Sequence, residues 1–215
     1  MAYPTVSAPY GLKPINLIGG QVFAGATRQI PIASGYDTSI FNGDVVKLSS
    51  DGVLVKETGT TTATPVGVFL GCTYTDPTLK YKLFSQYFPA NTVASDIQAY
   101  VADDPDQLFK VALVSGTTVI AGYGRTIVGN NVPLVQNTGS ANTGNSAVAV
   151  NGASAAVTAS LPIRIIDVVP ETVDASGNYT EVIVKWNAPY FTLSEGTPNT
   201  ITWAGGHQYL NPLGV

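Results

Sequence analysis

The chain has 215 residues, 45% hydrophobic and only 11% charged, with 22 Gly, 14 Pro and a formal net charge of -4. Charge this sparse, against about a quarter of residues in an ordinary soluble domain, excludes the composition of a disordered chain, so a buried core is expected. Ten Lys plus Arg spread through an acidic chain offer no basic stripe to neutralise phosphates, which excludes nucleic acid as the partner.

Residues 1–20 carry Pro4, Pro9, Pro14 and Gly19-Gly20, with Tyr3, Tyr10, Leu12, Ile15 and Leu17 between them. Prolines at this spacing forbid a helix and favour an extended arm. Such an arm packs on its own domain or is laid across a neighbouring subunit, as in strand addition. Residues 21–135 are expected to form a β-barrel core. Within them "GDVVKLSSDGVLVKETGTTTATPVGVFLG", residues 43–71, places Val45, Val46 and Leu48 before an Asp51-Gly52 turn and Val53, Leu54 and Val55 after it. That pattern predicts a hairpin. A further strand follows, in which Gly67 and Gly71 predict close backbone approach or a bulge.

The alternation in "LKYKLFSQYF" favours a strand over residues 79–88. "IQAYVADDPDQLFKVAL" predicts two strands joined by a second hairpin or a tight corner. Asp103, Asp104 and Asp106 between them have the spacing of an Asp-Pro-Asp turn, not of a calcium loop or a catalytic carboxylate pair. Residues 136–160 hold no charge and no aromatic, and Asn151-Gly152 predicts a thin, protruding small-residue hairpin or loop. Residues 161–215 are expected to complete the β core. In "TEVIVKW", Thr180, Val182, Val184 and Trp186 share one face.

Catalytic groups are scarce. Cys72 is the single cysteine and His207 the single histidine, so neither a disulfide within the chain nor a His-rich or Cys-rich metal site is expected. No nucleophile elbow, zinc-protease pair or phosphate loop is present. The chain is expected to be no enzyme and to need no cofactor. Residues 1–14 show no secretion signal and no run reaches 18 apolar residues, so synthesis in a cytoplasm without membrane insertion is expected.

The residues 43–71, with Gly43, Asp44 and Val45 opening one strand and Pro65, Gly67 and Val68 opening another, resemble the small β-barrel of head-decoration, or cement, proteins of tailed bacteriophages. The resemblance implies an all-β barrel or sandwich on the outer surface of a virion capsid, with the major capsid protein as partner and the chain itself as a homotrimer. Cementing needs contact area and no catalytic group. Shell contacts are then expected on the arm, at Tyr3, Tyr10, Leu12, Pro14 and Ile15, and contacts among protomers at Trp203 and Tyr209. A carbohydrate-binding module stacking sugars on Trp186, Trp203, Tyr190 and Tyr209 is the alternative, as is a tail or fibre-associated module.

Overall fold

The computed structural model describes residues 8–115, 118–119, 123–173, 179–194 and 200–212. These residues form strands β1 (Lys13–Leu17), β2 (Arg28–Pro31), β3 (Val45–Leu48), β4 (Leu54–Lys56), β5 (Gly67–Thr75), β6 (Lys82–Ser85), β7 (Gln98–Ala102) and β8 (Gln107–Ser115). There follow β9 (Thr118–Val119), β10 (Asn131–Val132), β11 (Leu134–Val135), β12 (Ala149–Asn151), β13 (Ile163–Val168), β14 (Glu181–Trp186), β15 (Tyr190–Ser194) and β16 (Thr200–Ala204). Helical structure among the described residues is confined to single turns of 3-10 helix. The chain is all-β, as its composition implies.

The first sheet runs β10-β13-β14-β8-β12-β11, with β1 and β9 also on β8. Its two ends, β10 and β11, are separated in sequence only by Pro133, so the sheet curls into a nearly closed barrel. The second sheet runs β2-β7-β5-β3-β4, with β6 on β5. Among the described strands β15 and β16 pair only with each other.

The hairpin over β3 and β4 forms as expected, with Leu48 opposite Leu54. Its turn needs Gly52 at a φ of 74°, a left-handed conformation that glycine adopts without a Cβ clash. The two glycines of β5 divide the predicted roles. A Cβ on Gly67 would lie 2.2 Å from the Ala102 carbonyl oxygen, so this glycine permits close approach of β7. Gly71 sits where the β5–β7 register shifts after Phe69, which is a bulge.

Residues 103–106 turn the corner between β7 in the second sheet and β8 in the first, so these strands are not a hairpin pair. Apart from β1, which lies on β8, the strands before this corner belong to the second sheet, and those after it, β15 and β16 aside, belong to the first. In β14 the face predicted to share Thr180, Val182, Val184 and Trp186 is the buried one. Trp186 packs on Phe109 with ring centroids 5.0 Å apart. Each such fully buried large side chain contributes about 1.5–3 kcal/mol. One core fills the barrel around Phe109, Leu113, Ile163 and Trp186 and includes Val45 and Val68 from the second sheet. A second core lies within the second sheet, around Ile40, Leu54, Phe69, Phe88 and Ile97.

The expected hairpin about Asn151-Gly152 does not form. β12 pairs antiparallel with β11 and parallel with β8, and Val148, Ala149 and Val150 are fully buried. The Asn151 side chain accepts the Ala153 N–H at 3.1 Å and caps a 3-10 turn. Gly152 is required by packing, since a Cβ there would lie 2.7 Å from Leu113. Residues 148–150 are therefore core, whereas residues 140–143 form an exposed turn closed by a bridge between Ser140 and Asn145, and Val157 beyond them is 89% exposed.

Candidate functional site

Among the described residues the chemistry-bearing side chains do not share one site; a shallow hollow lined by Arg28, Asp103, Asp104 and Tyr209 gathers a few of them. They sit instead at polar joints that fasten the two sheets and the two ends of the described chain. The first joint is built on the Gly43-Asp44 pair. Asp44, fully buried, accepts hydrogen bonds from Ser146 Oγ at 2.6 Å and the Phe41 N–H at 2.9 Å, and pairs with Lys56 Nζ at 2.8 Å. The Leu12 N–H donates to the Gly43 carbonyl at 3.0 Å and the Gly11 N–H to the Val148 carbonyl at 3.2 Å. Three segments cross here. A Cβ on Gly11 would lie 2.7 Å from both the Gly43 oxygen and Ser146 Cβ.

The second joint holds β1. Tyr10 donates its phenol proton to Glu181 Oε1, and Lys110 Nζ lies 3.0 Å from Glu181 Oε2. Glu181 is buried, so its charge requires these partners. Burial, then the hydrogen bond and charge of Glu181, push the Tyr10 phenol well above its ordinary pKa. Lys13 Nζ lies 4.9 Å above the Tyr10 ring.

The third joint is a strap of residues 205–211. The Gln208 N–H donates to the Pro65 carbonyl at 2.8 Å. Its side-chain amide accepts from the Leu48 N–H at 2.7 Å and donates to the Leu48 carbonyl at 3.1 Å, in the manner of an added strand residue. Tyr209 donates to Asp103 Oδ2 at 3.0 Å, and Arg28 Nε reaches the same oxygen at 2.7 Å. His207 is fully buried. Its Nδ1 accepts the Tyr209 N–H at 3.3 Å, which places the ring proton on Nε2, for which no well-formed acceptor stands among the described residues.

The residues expected at contacts are distributed as follows. Leu12 is 1% exposed and belongs to the barrel core, which corrects its assignment as a shell contact: β1 lies on β8 of its own chain. Pro14 and Ile15 are half-buried in β1, and Tyr10 is engaged by Glu181. Tyr3 lies outside the described residues. Tyr209 is 40% exposed yet committed to Asp103 and the strap. Trp203 is placed by its backbone opposite Phe191 in the β15–β16 ladder, and its side chain, like that of Tyr190, lies outside what is described. Trp186 is 2% exposed, so it offers no platform for a sugar.

The carboxylates of the 103–106 corner are each used locally. Asp103 binds Arg28 and Tyr209, Asp104 accepts the Asp106 N–H at 2.8 Å, and Asp106 meets Lys185 Nζ at 3.3 Å. Among the described residues no three His, Cys, Asp or Glu side chains gather as a metal site. No helix among them is long and apolar enough to cross a membrane.

Leu79, Tyr81 and Phe84, on or just before the edge strand β6 of the second sheet, are exposed apolar side chains. Sequence reasoning missed this surface. Its signal was the pair Lys80 and Lys82 beside an apolar alternation, a composition typical of an edge strand. Comparison with protein families, with curated proteins and with solved structures finds no match.

Proposed function

We propose that the chain is a non-enzymatic structural protein of a phage virion that binds the outside of the capsid and cements neighbouring capsomers, with the major capsid protein as its partner. The observation that carries this reading is the place of the motif behind the resemblance. Its two halves lie side by side, Val45 opposite Val68 and Val46 opposite Gly67, and Asp44 is the buried bond that fastens the two sheets. A protein that cements a pressurised shell needs a platform that does not hinge. Joints at Asp44, Glu181 and Gln208 supply that stiffness, because each ties segments distant in sequence.

The reading is tested by pelleting the purified chain with emptied phage shells. Saturable co-sedimentation is expected, and a chain left wholly in the supernatant contradicts the reading. A variant beginning at residue 8 keeps Tyr10, Leu12 and β1 while lacking Tyr3. Loss of binding in that variant would assign the remaining arm contact to Tyr3 and its neighbours, whereas unchanged binding would move the contact to the folded body.

A further inference from the structure

Among the described strands β6 pairs with β5 alone, from Cys72 opposite Ser85 to Thr75 opposite Lys82. In an antiparallel strand the backbone groups of successive residues point to opposite sides. The Thr75 N–H is given to Asp96 Oδ1 at 2.9 Å, away from β6. Cys72 and Tyr74 therefore bond toward β6, and their partners Ser85 and Leu83 bond back toward β5. Lys82 and Phe84 are left with N–H and C=O aimed outward. Their side chains are open as well: Phe84 is 75% exposed, the Lys82 side chain 54%, and Tyr81 beside them 51%.

We propose that this edge binds β6 of a second copy of the chain, antiparallel about a two-fold axis through Leu83. The register follows from backbone parity, since outward-facing residues must meet outward-facing residues. Centring the axis on Leu83 sets Lys82 opposite the partner's Phe84 and Phe84 opposite the partner's Lys82, so both outward residues of each strand are bonded. Centring it on Lys82 would bring two ammonium groups together. Centring it on Phe84 would leave Lys82 outside the paired segment. The register with the most hydrogen bonds is thus also the one that separates like charges and lays each ammonium on an aromatic ring, a favourable pairing.

This complementarity is with the chain's own strand, which is why a second copy is the occupant. The Lys82–Asp96 pair, 4.0 Å apart and exposed on both sides, is too weak to hold Lys82 away from it. An isologous contact of this kind closes as a dimer, unlike the trimer that the resemblance implies. It requires no shell, so its failure and that of the shell reading are separable. The contact is short and therefore weak in solution; among copies crowded on one surface, effective concentration multiplies it.

Sedimentation equilibrium of the full chain from about 10 μM to about 1 mM tests this contact. The weight-average mass is expected to rise from one chain toward two. Phe84→Lys, which sets ammonium against ammonium, is expected to weaken the dimer at least tenfold with the circular dichroism and melting of the original chain. Lys82→Glu combined with Phe84→Lys puts opposite charges back across the axis and is expected to restore it. A chain that stays single at about 1 mM, a trimer, a Phe84→Lys variant that dimerises as before, or a double variant that fails to recover would each overturn the proposal.

Discussion

Asp44→Ala is expected to destabilise the fold by about 3–5 kcal/mol, the cost of stranding a buried charge whose partner has been removed. Lys56 is the stranded group: its side chain is only 12% exposed, and the Asp44 oxygen 2.8 Å away is its ion-pair partner. The Ser146 hydroxyl and the Phe41 N–H lose their acceptor at the same time. A loss of this size is a large fraction of the 5–15 kcal/mol that typically separates a folded domain from its unfolded state. Asp44→Ala with Lys56→Met removes the unpaired charge along with its partner and is expected to recover part of the loss. Urea denaturation of the original chain and the two variants measures both effects. A single-variant loss below about 1 kcal/mol, the size of an ordinary hydrogen bond, would show that the joint does not hold the sheets together.

Acidification is expected to weaken the fold through His207. Burial pulls the imidazole from its ordinary 6.5 down to about 4, and the Val66 backbone and the charges of Asp103 and Asp104 pull the other way without offsetting it. A second proton would have to enter at Nδ1, where it would displace the Tyr209 N–H. Between pH 6.5 and about 4 the unfolded chain therefore accepts a proton that the folded chain refuses. The contribution is intact above 6.5, falls as the pH falls through this window, and levels off below it; the full gap is worth about 3 kcal/mol. His207 is the chain's single histidine, so a decline above about pH 5, before most carboxylates titrate, belongs to it. His207→Asn, whose side chain still offers an acceptor, is expected to flatten the profile there. An unchanged slope in that variant would assign the acid response to other groups.

What was legible in the sequence is what local pattern determines. The β3–β4 hairpin follows from its alternation and from Gly52, the glycines of β5 from the need for close approach and a bulge, and the buried face of β14 from a period of two. The barrel closure and the joints were not legible, because they unite residues far apart in the chain. Tyr10 and Glu181 are separated by 171 positions, and no local signal announces the parallel pairing of Val150 with Leu113. Asn151-Gly152 misled for a physical reason: the side-chain oxygen that favours a hairpin turn also caps a 3-10 turn. Leu12 misled because an apolar residue in a Pro-rich segment reads the same whether it covers a neighbour or its own core.

The shell reading and the edge contact assign different tasks to different surfaces. The joints make the body stiff, and the β6 edge joins copies to one another. Cementing has the most direct consequence, and it is measured by heating emptied shells with and without the chain and following their rupture by light scattering. Shells saturated with the chain are expected to rupture at a higher temperature than bare shells, by mass action on the bound, intact form. Shells that bind the chain yet rupture at the same temperature as bare ones would contradict the cement function.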